Sequence, residues 1–185
     1  MDDFEAIVRL KQGEICGLEW LIAHHQLKAV RTAFLITHDE HLAEDVVQNV
    51  FLRFFHKVHH FDQTRPFEPY FLRCVVNAAL DGIQKGCREV PFYGNDDGLV
   101  IENLLSQARS VETQVEFCQL KREILDALAR LSPRQRTVII QRYYLEMSEQ
   151  EMAREMEIAP GTVKWLLNAA RTRLRTMLKT EGSVE

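Results

Sequence analysis

From residue 4 to residue 85, and again from about residue 112 to 179, apolar side chains recur at intervals of three and four and nowhere alternate. That period lines them along one face of a helix, and no β-branched run bounded by turn residues interrupts it. The chain is therefore expected to be all-α. Between the two periodic stretches, residues 87–111 carry Pro91, Gly94-Asn95-Asp96-Asp97-Gly98 and an excess of acids, which is turn and linker chemistry. With 185 residues the chain has room for two small helical domains and none for a large multidomain enzyme. The expected division is a first domain over 1–88, an acidic linker over 89–111 and a second domain over 112–180.

Local signals sharpen the reading. Helices are expected near 3–11, 14–35, 40–58 and 66–85 in the first domain. Thr37-His38-Asp39 offers side chains that can accept the first free amide hydrogens of the third helix, and Pro66 suits the first turn of the fourth, which should stop at Gly86. Within the third helix Val46, Val47, Val50, Phe51, Phe54, Phe55 and Val58 form an apolar stripe too broad for one packed neighbour, so an external partner is expected to cover part of it. In the second domain Ser132-Pro133 and Ser148-Glu149-Gln150-Glu151 read as helix starts, the latter with capping-box spacing.

The formal net charge is −4, but it is unevenly spread. Residues 160–179 hold Lys164, Arg171, Arg173, Arg175 and Lys179 and no acid, whereas residues 89–119 hold six acids and only Arg109. A basic helix on an otherwise acidic protein suits a nucleic-acid partner better than the net charge suggests. The four cysteines, Cys16, Cys74, Cys87 and Cys118, contain no Cys-x-x-Cys pair and are expected to be reduced thiols. His38 and His41, and His56, His59 and His60, are expected to be ordinary surface or packed histidines, with no metal or other cofactor. No run of eighteen apolar residues occurs, and Met1-Asp2-Asp3 is acidic where a secretory signal would be basic, so a soluble, cytoplasmic protein without membrane insertion is expected.

The strongest local pattern is Ser148 to Leu178. A short helix over 149–156, with Met152, Ala153 and Met156 inward, meets a tight turn at Glu157-Ile158-Ala159, and a second helix starts at Pro160-Gly161-Thr162. This is helix-turn-helix spacing. Val163, Leu167, Ala170 and Leu174 follow steps of four, three and four and should be buried; Thr162, Lys164, Trp165, Asn168 and Arg171 then point outward, with Leu166 and Ala169 on or near the same surface. Such a helix can lay its N-terminal turns in the major groove, with Lys164, Arg171 and Arg173 supplying phosphate charge, Asn168 pairing with adenine or holding a water, and Trp165 stacking or touching a thymine methyl. A plain helical hairpin with a solvated basic face would show the same periodicity.

Several segments together resemble a known family. Glu44-Asp45-Val46-Val47-Gln48-Asn49-Val50-Phe51-Leu52, Phe61-Asp62-Gln63-Thr64-Arg65-Pro66-Phe67, Leu72-Arg73 and Asn77-Ala78-Ala79-Leu80-Asp81 are similar to the second conserved region of bacterial sigma factors. Leu131-Ser132-Pro133-Arg134-Gln135-Arg136 and Gly161-Thr162-Val163-Lys164 look like the fourth. With regions one and three missing, the resemblance is to the extracytoplasmic-function class, and it covers residues 5–178. It implies binding to core RNA polymerase through Asp45, Gln48, Asn49 and Leu52, and capture of the minus-ten promoter element by Phe61, Arg65, Tyr70, Phe71, Arg73, Asn77 and Lys85. It also implies reading of the minus-thirty-five element by Thr162, Lys164, Trp165, Asn168, Arg171 and Arg173. The partners implied are core polymerase, promoter DNA and an anti-sigma factor. Of the aromatics Phe61, Phe67, Tyr70 and Phe71, two are expected to be buried and two free to meet bases.

Three positions depart from the family pattern. Trp165-Leu166-Leu167 and Ala169 stand where further bases are usual, so the minus-thirty-five element is read with more apolar contact or that face serves a protein. Ala159 replaces a capping serine, and Gly82 replaces a larger residue within a helix, each at a cost of about 1 kcal/mol. No nucleophile, base and orienting group can be assembled, nor a phosphate-binding glycine loop, so no enzymatic activity is expected. The competing expectation is a free-standing homodimeric helix-turn-helix regulator, which would need neither the Asp45–Gln48 helix nor the aromatic cluster.

Overall fold

A computed structural model describes the backbone of residues 1–86 and 111–181 and the side chains of 1–85 and 119–178. The expected linker falls almost wholly outside the described residues, as do Cys87 and Arg88. Among the described residues there are eight α-helices and no strand: α1 (Asp3–Lys11), α2 (Cys16–Thr37), α3 (Glu40–Lys57), α4 (Phe67–Gly86), α5 (Val111–Ala129), α6 (Pro133–Tyr143), α7 (Glu149–Glu155) and α8 (Pro160–Glu181). A single 3₁₀ turn, Val58–His60, follows α3. Among these residues no helix is long and apolar enough to cross a membrane.

The helix starts follow side-chain chemistry. Asp2 accepts the Glu5 amide at 2.8 Å, and Asp39 accepts the Leu42 amide at 2.9 Å. Of the expected Thr37-His38-Asp39 cap, then, only Asp39 performs the capping. The Thr37 hydroxyl accepts the Asp39 amide at 3.2 Å, while His38 ends α2 in the left-handed region at φ 56°. Ser132 with Gln135 and Ser148 with Glu151 both form reciprocal capping boxes, which satisfy amide donors that a helix start leaves without partners. The turn before α8 pivots on Glu157 at φ 53°, a conformation usually left to glycine.

Helices α1–α4 enclose one core. The α3 stripe is covered from within: Val46, Val47, Val50, Phe51, Phe54 and Val58 are all buried, and only Phe55 is half-exposed. The expectation that this stripe needs an outside partner is therefore corrected, because α2 and α4 pack on two sides of α3 and cover it together. Phe51, Phe54, Phe67 and Phe71 pack ring against ring at centroid distances of 4.3–5.2 Å, Phe67 and Phe71 stacked and Phe54 edge-on to Phe67. Two glycines admit close helix contacts. A Cβ on Gly17 would lie 2.2 Å from the Ala6 carbonyl oxygen, so α1 crosses α2 at backbone distance there; one on Gly82 would lie 3.2 Å from a Leu42 methyl.

A second core joins α5–α8 through Leu128, Leu131, Val138, Met152, Val163 and Leu167. The two cores meet along α6, which packs on α2 and α4. Ile140 is buried within the first core, and Leu35 touches both. At this seam the buried Arg136 guanidinium donates to four carbonyls: Leu128 at 2.9 Å, Ala129 at 2.9 Å, Leu131 at 3.3 Å and, across the seam, Ile36 at 2.6 Å. Burial lowers its pKa to about 10, so it remains charged. Burial, then the Arg136 charge, pushes His38 down to about 4. Further along the seam, Glu155 of α7 is 7% exposed. Its burial raises the carboxyl to about 7 against the pull of Arg73 on α4 and Gln141 on α6, with Glu151 on its own helix adding to the rise.

Two outcomes follow from this packing. Gly17→Ala forces α1 off α2 and should lower stability by about 1–3 kcal/mol in urea unfolding. The raised Glu155 carboxyl gives stability that is whole below pH 4.5, its ordinary value, and is lost as pH rises through about 7. Glu155→Gln should therefore exceed the parent chain by roughly 1–3 kcal/mol at pH 8 and lose that advantage at pH 4. An equal difference at both pH values would refute this titration.

Candidate polymerase and promoter interfaces

The exposed side of α3 carries a compact set of groups. Asp45, Gln48, Asn49 and Leu52 lie at spacings of three, one and three, on the face opposite the buried Val46–Val50–Phe54 stripe, and all four are exposed. The Asn49 amide nitrogen donates to the Asp45 carbonyl at 2.8 Å, which holds that side chain along the helix. Leu52 is 55% exposed and forms the apolar part of a face otherwise polar.

On α4, Tyr70, Arg73 and Asn77 line one exposed strip at steps of three and four, with Lys85 exposed two turns beyond. Arg65 lies in the preceding loop, also exposed, with its Nε 3.5 Å from an Asp62 oxygen. The Asp62 carboxyl is held below its ordinary range by hydrogen bonds from the Thr64 hydroxyl and amide. The aromatic expectation is corrected here, since three of the four rings are buried rather than two. Phe61, Phe67 and Phe71 are 8%, 2% and 1% exposed, and only Tyr70 reaches the surface. The reason is periodicity: Phe67 and Phe71 share the inward face of α4, and Phe61 closes the core beneath Tyr70 at a centroid distance of 4.9 Å. Phe61 and Phe71 thus support the strip from below. Arg73 also feels the Glu155 carboxylate, so this strip adjoins the seam with α7.

On α8 the buried residues are Val163, Leu166, Leu167 and Ala170. Leu166 is a correction: the expectation puts it on or near the outward surface, but it is 7% exposed because α8 is held by helices on two sides, which widens the buried stripe to both residues of the pair. Ala169 is half-exposed at the margin. Thr162, Lys164, Trp165 and Asn168 form the exposed face of the first two turns. Arg171 leaves this group. It is half-buried, its Nε donates to the Tyr143 hydroxyl at 3.0 Å, and its guanidinium carbon sits 5.7 Å from the Tyr143 ring centre. Arg173 is exposed, but nine positions after Lys164, about two and a half turns, it projects from the opposite flank.

The residues missed from sequence are those that reach across the fold. Tyr143, 61% exposed at the end of α6, anchors Arg171 and helps line an open groove of about 650 Å³ with Ile124, Leu128, Leu174 and Leu178. Glu155 and Gln141 sit at the seam. Each lies at a helical spacing that its own element explains equally well as surface, so no local signal marks them. Among the described residues no cluster of three or more His, Cys, Asp or Glu side chains could hold a metal ion.

Comparison with known proteins joins these faces to a family. Residues 21–89 match the model of sigma-70 region 2, and residues 121–174 match that of sigma-70 region 4. The chain is 26% identical over 179 residues to the ECF RNA polymerase sigma factor SigW of Bacillus subtilis, covering 94% of this chain and 95% of that one. It is 31% identical over 163 residues to the ECF RNA polymerase sigma factor SigL of Mycobacterium tuberculosis, covering 88% and 89%. Two solved structures share the fold. The sigma factor RpoE of Bartonella quintana, solved with the anti-sigma factor NepR, superposes with a TM-score of 0.66 at 22% identity over 87% of this chain and 96% of that one. CnrH, solved with the cytosolic domain of CnrY, gives 0.63 at 20% identity over 96% and 97%. An all-helical chain matching regions 2 and 4 in order, and aligned along nearly its whole length with such relatives, belongs to the extracytoplasmic-function sigma factors, which are transcription initiation factors and not enzymes.

Proposed function

We propose that this sigma factor docks on core RNA polymerase through the exposed face of α3 and reads two promoter elements with its two domains, residues 1–88 and 112–180, in the cytoplasm. Asp45, Gln48, Asn49 and Leu52 meet the polymerase. Tyr70, Arg73 and Asn77, with Arg65 and Lys85 at the ends of the strip, capture the melted minus-ten strand: Tyr70 stacks on a base, and the cations hold phosphates. Thr162, Lys164, Trp165 and Asn168 enter the major groove at the minus-thirty-five element, with the amide dipoles of α8 facing phosphate. An anti-sigma factor is the expected inhibitory partner, in line with the complex named for RpoE.

The observation that carries this reading is that α3, α4 and α8 each divide cleanly, one side given wholly to a core and the other to exposed residues of the family motifs. Each reading domain offers DNA only a handful of side chains: the five on and beside α4 and the four on α8. Useful affinity therefore depends on the polymerase holding both domains against one duplex, which raises the effective concentration of the second contact once the first is made.

Asn77→Ala should form the same one-to-one complex with core polymerase in size exclusion as the parent chain, while permanganate reactivity of thymines at the start site drops several-fold. Undiminished reactivity would remove Asn77 from strand capture, and a parent chain that elutes as a DNA-binding dimer apart from polymerase would overturn the docking itself. Lys164→Ala should weaken promoter binding by holoenzyme at all salt concentrations and reduce the slope of log affinity against log salt by about 1, the mark of one lost phosphate contact.

A further inference from the structure

Trp165 is 65% exposed, the largest fraction of any large apolar side chain among the described residues. It stands near the crest of the α8 face: Gly161, one turn before it, presents no side chain and has open space around its Cα, and Asn168 and Thr172 follow at the next turns, both exposed. The structure strips this face of the alternatives the sequence left open. Leu166 is buried, Ala169 is marginal, and Arg171 is turned to Tyr143. One indole therefore remains as the only large apolar group among Thr162, Lys164 and Asn168, on a stretch from Pro160 to Lys179 that contains no acid.

Taking as given that α8 enters the major groove, we infer that Trp165 is a specificity-determining residue that selects a thymine in the minus-thirty-five element through its 5-methyl group. The chemistry of the groove leaves little else for an indole to recognise. It has one N–H donor and no acceptor, so it cannot form the bidentate pair by which arginine marks guanine or asparagine marks adenine. The apolar feature among base edges in the major groove is the thymine methyl. Pressing the exposed indole on that methyl removes apolar surface of both from water, whereas a cytosine there presents only a C5 hydrogen and leaves the ring without that contact. Lys164, the preceding residue, fixes the neighbouring phosphate and so the depth at which the ring is presented.

The test uses holoenzyme assembled from core polymerase and the full chain, on a promoter fragment recovered by run-off transcription from genomic DNA. Each thymine of the upstream element, on either strand, is replaced singly by deoxyuridine, which keeps base pairing and deletes only the methyl. One replacement should weaken binding about three- to five-fold, the worth of one buried methyl. In Trp165→Ala the same replacement should cost nothing, because alanine, a strong helix former at an exposed position, preserves α8 without the ring. In Lys164→Ala the replacement penalty should persist on a lower overall affinity. The inference is overturned if no deoxyuridine weakens the parent chain, or if the penalty survives in Trp165→Ala. It is equally overturned if Trp165→Ala no longer assembles with core polymerase in size exclusion, since the ring then serves a protein contact. Loss of the salt-dependent effect of Lys164→Ala would sink the major-groove reading; that effect present without a methyl penalty would sink only the thymine.

Discussion

Two helix ends converge on a single cation. The carbonyls of Leu128, Ala129 and Leu131, where α5 finishes, and that of Ile36, one residue before the end of α2, all accept from its guanidinium in the seam, the Leu128 carbonyl accepting the Leu131 amide at 3.1 Å as well. Both ends also carry the negative pole of their helix. Arg136 answers all four with the fixed fork of its guanidinium, an arrangement the three clustered donors of a lysine cannot reproduce. The position of α6 against α2 and α4 follows, with Ile140 seated in the first core, and through α6 the placement of α7 and α8.

Because α6 is placed this way, the faces proposed for contact are what packing leaves over. On α3 six residues of a wide apolar stripe are consumed by α2 and α4, and the remainder is a polar strip ending in Leu52. On α4 the phenylalanines turn inward and leave Tyr70, Arg73 and Asn77. The same helix thus supplies a core on one side and a contact surface on the other, which is why substitutions on the two sides should separate stability from function. The seam couples them at one point. Arg73, on the strip, acts on the Glu155 carboxyl of the other domain and holds back the rise that burial imposes on it.

The turns between helices carry local strain that their neighbours sustain. His38, Glu146 and Glu157 all adopt positive φ without being glycine, at 56°, 55° and 53°. Such residues cost about 1 kcal/mol or more each and persist where the flanking helices are held firmly. At Glu157 the consequence reaches the helix proposed to read DNA, since this turn sets the angle at which α8 leaves α7.

Helix identity, the helix start at Ser132, the capping box at Ser148, the Asp39 cap, and the division of the chain into two helical parts were all readable in the order of residues. They depend on interactions within four positions, and the family motifs fall on them at fixed spacing. What lay beyond that reach was decided by tertiary packing. Whether Leu166 joins Leu167 in the core depends on how many helices flank α8; whether Phe71 meets a base or Phe51 depends on where α3 lies; and whether Arg171 faces DNA depends on Tyr143, twenty-eight positions earlier. Periodicity tells which side of a helix is apolar, but the width of the buried sector is set by neighbours that are remote in sequence. The same holds for Arg136: its motif marks a helix start, while its bond to Ile36, one hundred positions away, exists only once both domains have folded against each other.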